Sequence, residues 1–434
     1  MDACTAVCPA GVQMDPLQIR LRAVIEPAQP RAWWARLLRA VALRGVFASM
    51  VWLRLLVWLL ALYQRRYVGV NVRHFCAIAR REHGLQWSYS FVRQALQVCG
   101  VDEIHTGIGK TGLVAVVRGR STASGKMMGL RADMDALPMQ EFNTFSHASQ
   151  NKGKMHACGH DGHTAMLLAA AQHFAKQRLF DGTVYLIFQP AEEGGGGARE
   201  MIKDGLFEQF PMDAVFGMHN WPGTEVGKFA VSPGPVMASS NEFKVVIRGK
   251  GAHAALPHNG LDPVPVACQM VQAFQTIISR NIKPIEAGVI SVTMINAGEA
   301  TNVIPDSCTL EGTVRTFTVE VLDKIEARMR EIAQHTAAAF GAECTFEFSR
   351  NYPPTINSEA EARFARKVMA SIVGEARVQV QEPTMGAEDF SYMLQKAPGS
   401  YVYIGNGDSA PVHNPNYNFN DEAISVGCSW WAEI

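Results

Sequence analysis

The dodecapeptide MHACGHDGHTAM, Met155 to Met166, sets one thiol, Cys158, among His156, His160 and His163, with Asp161 beside them. Thiolate and imidazole are both ligands for zinc-type ions. The same pair can also be a nucleophile with its base. Cys158 and His160 stand two apart, positions that diverge on a helix, so they converge only at a bend of the kind Gly159 and Gly162 permit. Two ligands do not close a metal site, and a Cys-x-His taken alone is more often an ordinary polar loop. The remaining ligands have to come from elsewhere in the chain.

QPAEEGGGGA, Gln189 to Ala198, is a second place where chemistry is concentrated. Adjacent carboxylates such as Glu192 and Glu193 repel, which raises one pKa unless a cation neutralises the pair. With a cation present, one glutamate ligates and the other stays free to take a proton from water. The glycines that follow are no phosphate loop, because no Gly-Lys-Ser/Thr succeeds them. His219, in VFGMHNWPG, follows an apolar run, and His413, in APVHNPNYNF, follows another. Each of these features alone has a bland explanation, since exposed glutamates are usually just solvated and lone histidines usually structural. Together they place a thiol, histidines and a carboxylate pair where strands or loops end, as sites in open α/β sheets are placed.

The elements that must position these groups are short apolar runs alternating with amphipathic stretches, the rhythm of an α/β domain. GLVAVVRG, MMGLRADMDA, GTVYLIFQP and DAVFGMHN read as strands, and His163 to Lys176 reads as a helix with Met166, Leu167, Ala170 and Phe174 on one face. From Ser239 the order becomes β-α-β-β-α-β: NEFKVVIRG, a helix over Val264 to Arg280, GVISVTMINAG, SCTLEGTVRTF, a helix over Val319 to Phe340, then CTFEFSR. That order describes a split βαβ sandwich able to be an insertion. The chain returns to the first domain near Tyr352, with PTMGAEDF opening a helix and YVYIGNGD forming a late strand. The expected organisation is a divergent segment over 1–90, a catalytic α/β domain with a central mixed sheet over 91–238 and 353–434, and an inserted ferredoxin-like domain over 239–352.

Bulk properties narrow the function classes. A chain of 434 residues suits two domains. Lys plus Arg and Asp plus Glu both total 40, which leaves no basic surplus for a nucleic-acid backbone. Nine scattered cysteines are unlike a secreted disulfide framework and suit a reducing, cytoplasmic setting. Val46 to Tyr63, VFASMVWLRLLVWLLALY, approaches the length of a membrane span; Arg54 in its middle opposes insertion, a cost that its Leu, Val, Trp and Phe neighbours could outweigh. A membrane-associated chain through residues 46–63 is the lesser alternative.

LRADMDALP, MHACGHDGHTAM, FQPAEEGGGGA, GMHNWPG, RGKGAHAALPH, NVIP, GTVRTF, MGAEDF and VHNP resemble the M20 metallopeptidase-like amidohydrolases, close to the hippurate hydrolase and indoleacetyl-amino acid hydrolase branch. The resemblance runs from about Val101 to Ile434. It implies two divalent cations (Mn, Zn, Co or Ni) held by Cys158, His160, Glu193, His219 and His413, with Glu192 as general base. Asp135 matches an acidic residue that steadies a ligand. The inserted domain corresponds to a lid and dimerisation surface, which implies a homodimer or higher homo-oligomer. His253 matches a residue that reaches a neighbouring subunit's site and stabilises an oxyanion. Asn302 and Arg315 match groups near the substrate's carboxylate. The implied reaction is cleavage of the amide bond of a small N-acyl or N-aroyl amino acid such as benzoylglycine.

Two departures stand against the resemblance. Members open with a His-Pro-Glu-Leu segment, whereas ARREHGLQWSYSFVRQAL shares only His83 and Leu85 with it. The abrupt onset of similarity at GVDEIHTGIGKTG favours an upstream stretch translated from a disrupted reading frame over a genuine extension. The rival functions are a metal- or ligand-binding relative impaired by that N-terminus, and a cysteine hydrolase with Cys158 as nucleophile and His160 or His163 as base.

Overall fold

The computed structural model describes residues 89–434. The expectations for residues 1–88, including the apolar run 46–63 and the positions of His83 and Leu85, lie outside the described residues. Among the described residues no helix is long and apolar enough to cross a membrane. The chain divides into two units. One comprises the described residues up to Val231, Ser358–Gln381 and Lys396–Ile434, and the other comprises Ser232–Asn357 and Glu382–Gln395.

The first unit is α/β, built on an eight-stranded mixed sheet. Its strands run in the order Glu103–Ile108, Gly112–Arg118, Thr183–Gln189, Met127–Asp133, Ala214–Trp221, Gly399–Gly405, Phe229–Ala230, Val378–Gln379. The four central strands, Thr183–Gln189 to Gly399–Gly405, are mutually parallel, the pairings that flank them directly are antiparallel, and the outermost pairing, Phe229–Ala230 with Val378–Gln379, is parallel. Continuous apolar runs such as Gly112–Val117 and Val184–Phe188 are buried along their whole length, as strands covered on both faces must be. Register sets Asp133 beside Gln189 and His219 beside Tyr403, so the parallel strands end on a common edge.

The helix His160–Gln177 is buried without a break from His160 to Ala171, and the helices Tyr89–Cys99 and Glu422–Glu433 pack against it. Its contact with Glu422–Glu433 is close. A Cβ on Gly427 would stand 2.1 Å from the sulfur of Met166. Trp430 and Trp431 are fully buried, the first edge-on to Phe216. Val92, Ala95 and Leu96 of the Tyr89–Cys99 helix join the same core.

The second unit has the β-α-β-β-α-β order Ser240–Arg248, Pro263–Thr276, Gly288–Ala297, Ser307–Thr316, Val319–Ala339, Glu343–Tyr352. Its four strands lie in the order Gly288–Ala297, Ser307–Thr316, Ser240–Arg248, Glu343–Tyr352, all antiparallel, which is the ferredoxin-like arrangement. Ser240–Arg248 alternates buried and more exposed positions, as one covered face requires. Phe243, Val245, Ile247, Met270, Phe274, Leu310 and Ile325 form a core of its own. The Asp262 carboxylate accepts from Val264 N, and the Thr318 hydroxyl accepts from Val321 N, capping the two helices. In this unit the structure departs from the sequence reading at two helices. The first helix of this unit ends its regular winding at Thr276, with a π turn over Ile277–Asn281, and PTMGAEDF opens only a single turn, Ser391–Leu394.

Candidate metal centre

Every group singled out on the first unit sits at or just beyond the common edge of the parallel strands. Asp135 follows Met127–Asp133, Glu192 and Glu193 follow Thr183–Gln189, His219 lies near the end of the strand Ala214–Trp221, and His413 follows Gly399–Gly405. Cys158 and His160 flank the start of the helix His160–Gln177, which begins three residues earlier than its apolar spacing predicts because Gly159 caps it in the left-handed conformation, φ 89°.

Asp135 is the clasp of this edge. Its buried carboxylate accepts the backbone N–H of Glu192 at 3.1 Å and of Glu193 at 3.0 Å. His160 Nδ1 lies 3.1 Å from its carbonyl oxygen and 3.3 Å from its carboxylate. With Nδ1–H directed there, Nε2 of His160 is the nitrogen left to face a cation, and it is buried without a hydrogen bond. Ala191, immediately before the glutamates, is held at φ 53°, a left-handed conformation that a residue with a Cβ adopts at a cost. The Asp135 clasp offsets that cost by fixing both amides of the turn.

His219 directs Nδ1 at the carbonyl of Asn220, 2.6 Å away, and brings Nε2 to 3.3 Å from the Cys158 sulfur. His413, also left-handed at φ 63°, is tethered by its backbone N–H to the Ala157 carbonyl, with its Nε2 at 3.0 Å from Glu193 Oε1. Three sets of candidate ligand atoms therefore form, each within 4.8 Å: Cys158 with His160 and His219, Cys158 with Glu193 and His413, and His160 with Glu192 and Glu193. The five expected ligands, Glu192 and Asp135 are thus gathered in one place.

Electrostatics follow from burial and these neighbours. Burial opposes the charged form of His160, but the Asp133 and Cys158 charges outweigh it and hold the imidazole well above its ordinary pKa. Burial raises the Cys158 thiol. His219 is driven well below the ordinary range, chiefly by burial. His413, bonded to Cys158 and Glu193, is pushed up to about 10. The donor set suits two borderline transition cations: one thiol, three imidazoles and a carboxylate, with Cys158 common to two of the sets. The buried, unbonded Nε2 of His160 is the kind of orphan a cation would satisfy.

A further set, Asp133 with His160 and His163, is closed to a metal by its own bonding. His163 donates through Nδ1 to Asp133 at 2.6 Å and accepts on Nε2 from the Asn220 N–H at 2.9 Å, which leaves no lone pair. Asp133 is also bound by Arg131 at 2.7 Å, and Arg131 in turn by Gln189 at 2.8 Å. Sequence reasoning passed over Arg131, Asp133, Asn220 and Tyr417. The available signal was Arg131 itself, a charge inside an otherwise buried strand, which has to be paired.

Gly159 gives the first prediction. A Cβ there would lie 2.3 Å from Asn220 Nδ2 and 2.5 Å from the Tyr417 hydroxyl, besides the left-handed φ. Gly159→Ala is expected to destabilise the first unit by more than about 1–2 kcal/mol, the backbone cost alone, measurable as a lowered denaturant midpoint. An unchanged midpoint would refute the crowding.

The remaining expected residues belong to the second unit. His253 pairs with Val303 in the small ladder Ala252–His253/Val303–Ile304, and Asn302 lies next to it, its carbonyl accepting from Ala254 N. His253 Nδ1 accepts from the Ala255 N–H, so the neutral ring carries its proton on Nε2 and is a donor there. Arg315 is on Ser307–Thr316, half-buried, with Nη1 at 3.2 Å from the Val314 carbonyl.

A family model described as peptidase family M20/M25/M40 matches residues 129–434. The chain is 41% identical over 338 residues to an N-acetyl-L-cysteine deacetylase of Bacillus subtilis, covering 77% of this chain and 79% of that protein. It is 39% identical over 344 residues to a hippurate hydrolase of Campylobacter jejuni, covering 79% and 89%. Among solved structures, a dinuclear metal-binding M20 peptidase of Bacillus subtilis superposes with a TM-score of 0.70 at 35% identity, covering 80% of this chain and 90% of that one.

Proposed function

The chain belongs to peptidase family M20/M25/M40 and is a hydrolase of amide bonds, and from that premise we propose that it cleaves the amide of small N-acyl or N-aroyl amino acids at a two-cation centre. The single observation that carries this reading is the convergence of Cys158, His160, Glu193, His219 and His413 beside Glu192 on one strand edge. Two divalent cations bound by those five side chains would supply Lewis-acid polarisation of the amide carbonyl and lower the pKa of the attacking water.

Glu192 takes one proton from that water as its oxygen bonds to the acyl carbon. It returns the proton to the amine nitrogen as the C–N bond breaks. Asp135 keeps Glu192 and Glu193 in register through their two amides. His253, a donor at Nε2, is assigned to the oxyanion of a neighbouring subunit's site. Asn302 and Arg315 are assigned to the substrate carboxylate. Assembly into a homo-oligomer through the second unit, a lid role for that unit, and a cytoplasmic setting belong to the same proposal.

The test is elemental analysis of the purified chain with a screen of N-acyl amino acids, benzoylglycine and N-acetylcysteine included, after chelation and after return of Mn, Co, Zn or Ni. Hydrolysis lost on chelation and regained with metal is expected. Activity indifferent to thorough chelation would end the proposal. Substrate binding without turnover in metal-replete protein would favour an impaired relative. No observation favours Cys158 as a nucleophile, since burial raises its thiol where a nucleophile needs it lowered.

A further inference from the structure

We propose that Asn220, backed by Tyr417, is the positioning residue of the metal centre. It fixes the Cys158 turn and the His219 ring relative to one another. The inference rests on the two-cation reading above and adds to it a residue outside the expected ligand set.

Asn220 bonds in four directions. Its side-chain N–H donates to the Cys158 carbonyl at 2.6 Å. Its backbone N–H donates to His163 Nε2 at 2.9 Å, with the amide nitrogen also 3.1 Å from that atom. Its carbonyl accepts from His219 Nδ1–H at 2.6 Å, which leaves Nε2 of His219 for a cation. Its Oδ1 accepts from the Tyr417 hydroxyl at 2.8 Å. Asn220 is fully buried and Tyr417 and His163 nearly so.

These bonds join three segments that share no local sequence: the Cys158 turn, the end of Ala214–Trp221, and the loop that carries His413. Tyr417 belongs to that loop, its N–H bonded to the Asn414 carbonyl. Only a side chain with a donor and an acceptor on one planar group meets both neighbours, because the Cys158 carbonyl can only accept and the Tyr417 hydroxyl donates to Oδ1. Aspartate has the shape but lacks the donor, so it would set a carboxylate against the Cys158 carbonyl. The approach is also tight, as the crowding at Gly159 shows. A second line of support holds the assembly from behind, because Asp133 orients His163, which receives the Asn220 amide.

The experiment uses the full chain loaded with Co2+. The sulfur-to-cobalt charge-transfer band reports Cys158 ligation, competition with a chelator gives affinity, and thermal melting of the metal-free protein reports packing. Asn220→Asp is expected to weaken Co2+ binding about 10- to 100-fold and to shift or bleach the sulfur band. Tyr417→Phe, which removes one hydroxyl, is expected to weaken it about three- to tenfold in the same direction. If Asn220→Asp does not fold, Tyr417→Phe decides. Variants that melt lower yet bind Co2+ with unaltered affinity and an unaltered band would overturn the inference and leave the two-cation reading standing. A wild-type protein without any sulfur-to-cobalt band would overturn both.

Discussion

Glu192→Gln is expected to leave a folded, metal-loaded protein whose kcat is about 10²- to 10⁴-fold lower, the usual worth of a positioned general acid–base. The substitution is close to isosteric, and the features that present the residue are unaffected by it. The backbone N–H still donates to Asp135, and Ala191 still holds the turn. What disappears is the basic oxygen. Because Glu192 is 7% exposed, bulk buffer has little access to replace it. KM is expected to move little, since the loss falls on the transition state. The measurement is kcat and KM at saturating metal, alongside metal content. A kcat within threefold of wild type would show that the proton passes elsewhere, whereas a loss of metal would show that Glu192 is a ligand.

Much of this edge is legible in the amino-acid sequence. GTVYLIFQP and DAVFGMHN announce strands by apolar runs of the right length, and chemistry-bearing residues at their ends are where parallel sheets place sites. The ferredoxin-like order is readable for the same reason, because each of its strands and helices has a period that only one element satisfies. The clasp is not readable. Asp135 bonds to amides 57 and 58 residues further along the chain, and no local pattern encodes that closure. Asn220 is hidden more thoroughly, since its neighbour His219 draws the eye and an asparagine near a Pro-Gly looks like turn chemistry.

The helices show a different failure. Glu359–Val373 was open to recognition from Ser358 followed three residues later by Glu361. In the folded chain the Ser358 hydroxyl instead accepts from Gly399 N, so the pattern marks the right place for another reason. The start of His160–Gln177 is set by the left-handed Gly159, and its burial on nearly every side erases the one-faced spacing on which a helix over His163 to Lys176 is predicted. Periodicity locates a helix with one wet face and misjudges one that has none.

Cys158→Ser is expected to cost the centre heavily, because Cys158 takes part in two ligand sets and an alcohol is a far weaker, harder donor than a thiolate. Activity at limiting metal is expected to fall to background and to return in part as Mn or Zn is raised. A nucleophilic cysteine would give the opposite pattern, full metal content with activity that no added cation restores. Acidity has a predictable sign in the same titration. Cys158 is raised by burial, His160 is held above its ordinary range by the Asp133 charge despite burial, and His413 stands at about 10 through its bonds to Cys158 and Glu193, so at neutral pH the metal-free site holds protons that binding must expel. Each expelled proton makes affinity fall about tenfold per unit of decreasing pH. With two or more displaced, Kd should rise roughly a hundredfold or more between pH 7 and pH 6. Calorimetry in buffers of different ionisation heat counts those protons directly. A Kd flat across that interval would mean that the site is already deprotonated, and that the bonds linking His413 to Cys158 and Glu193 do not hold in solution.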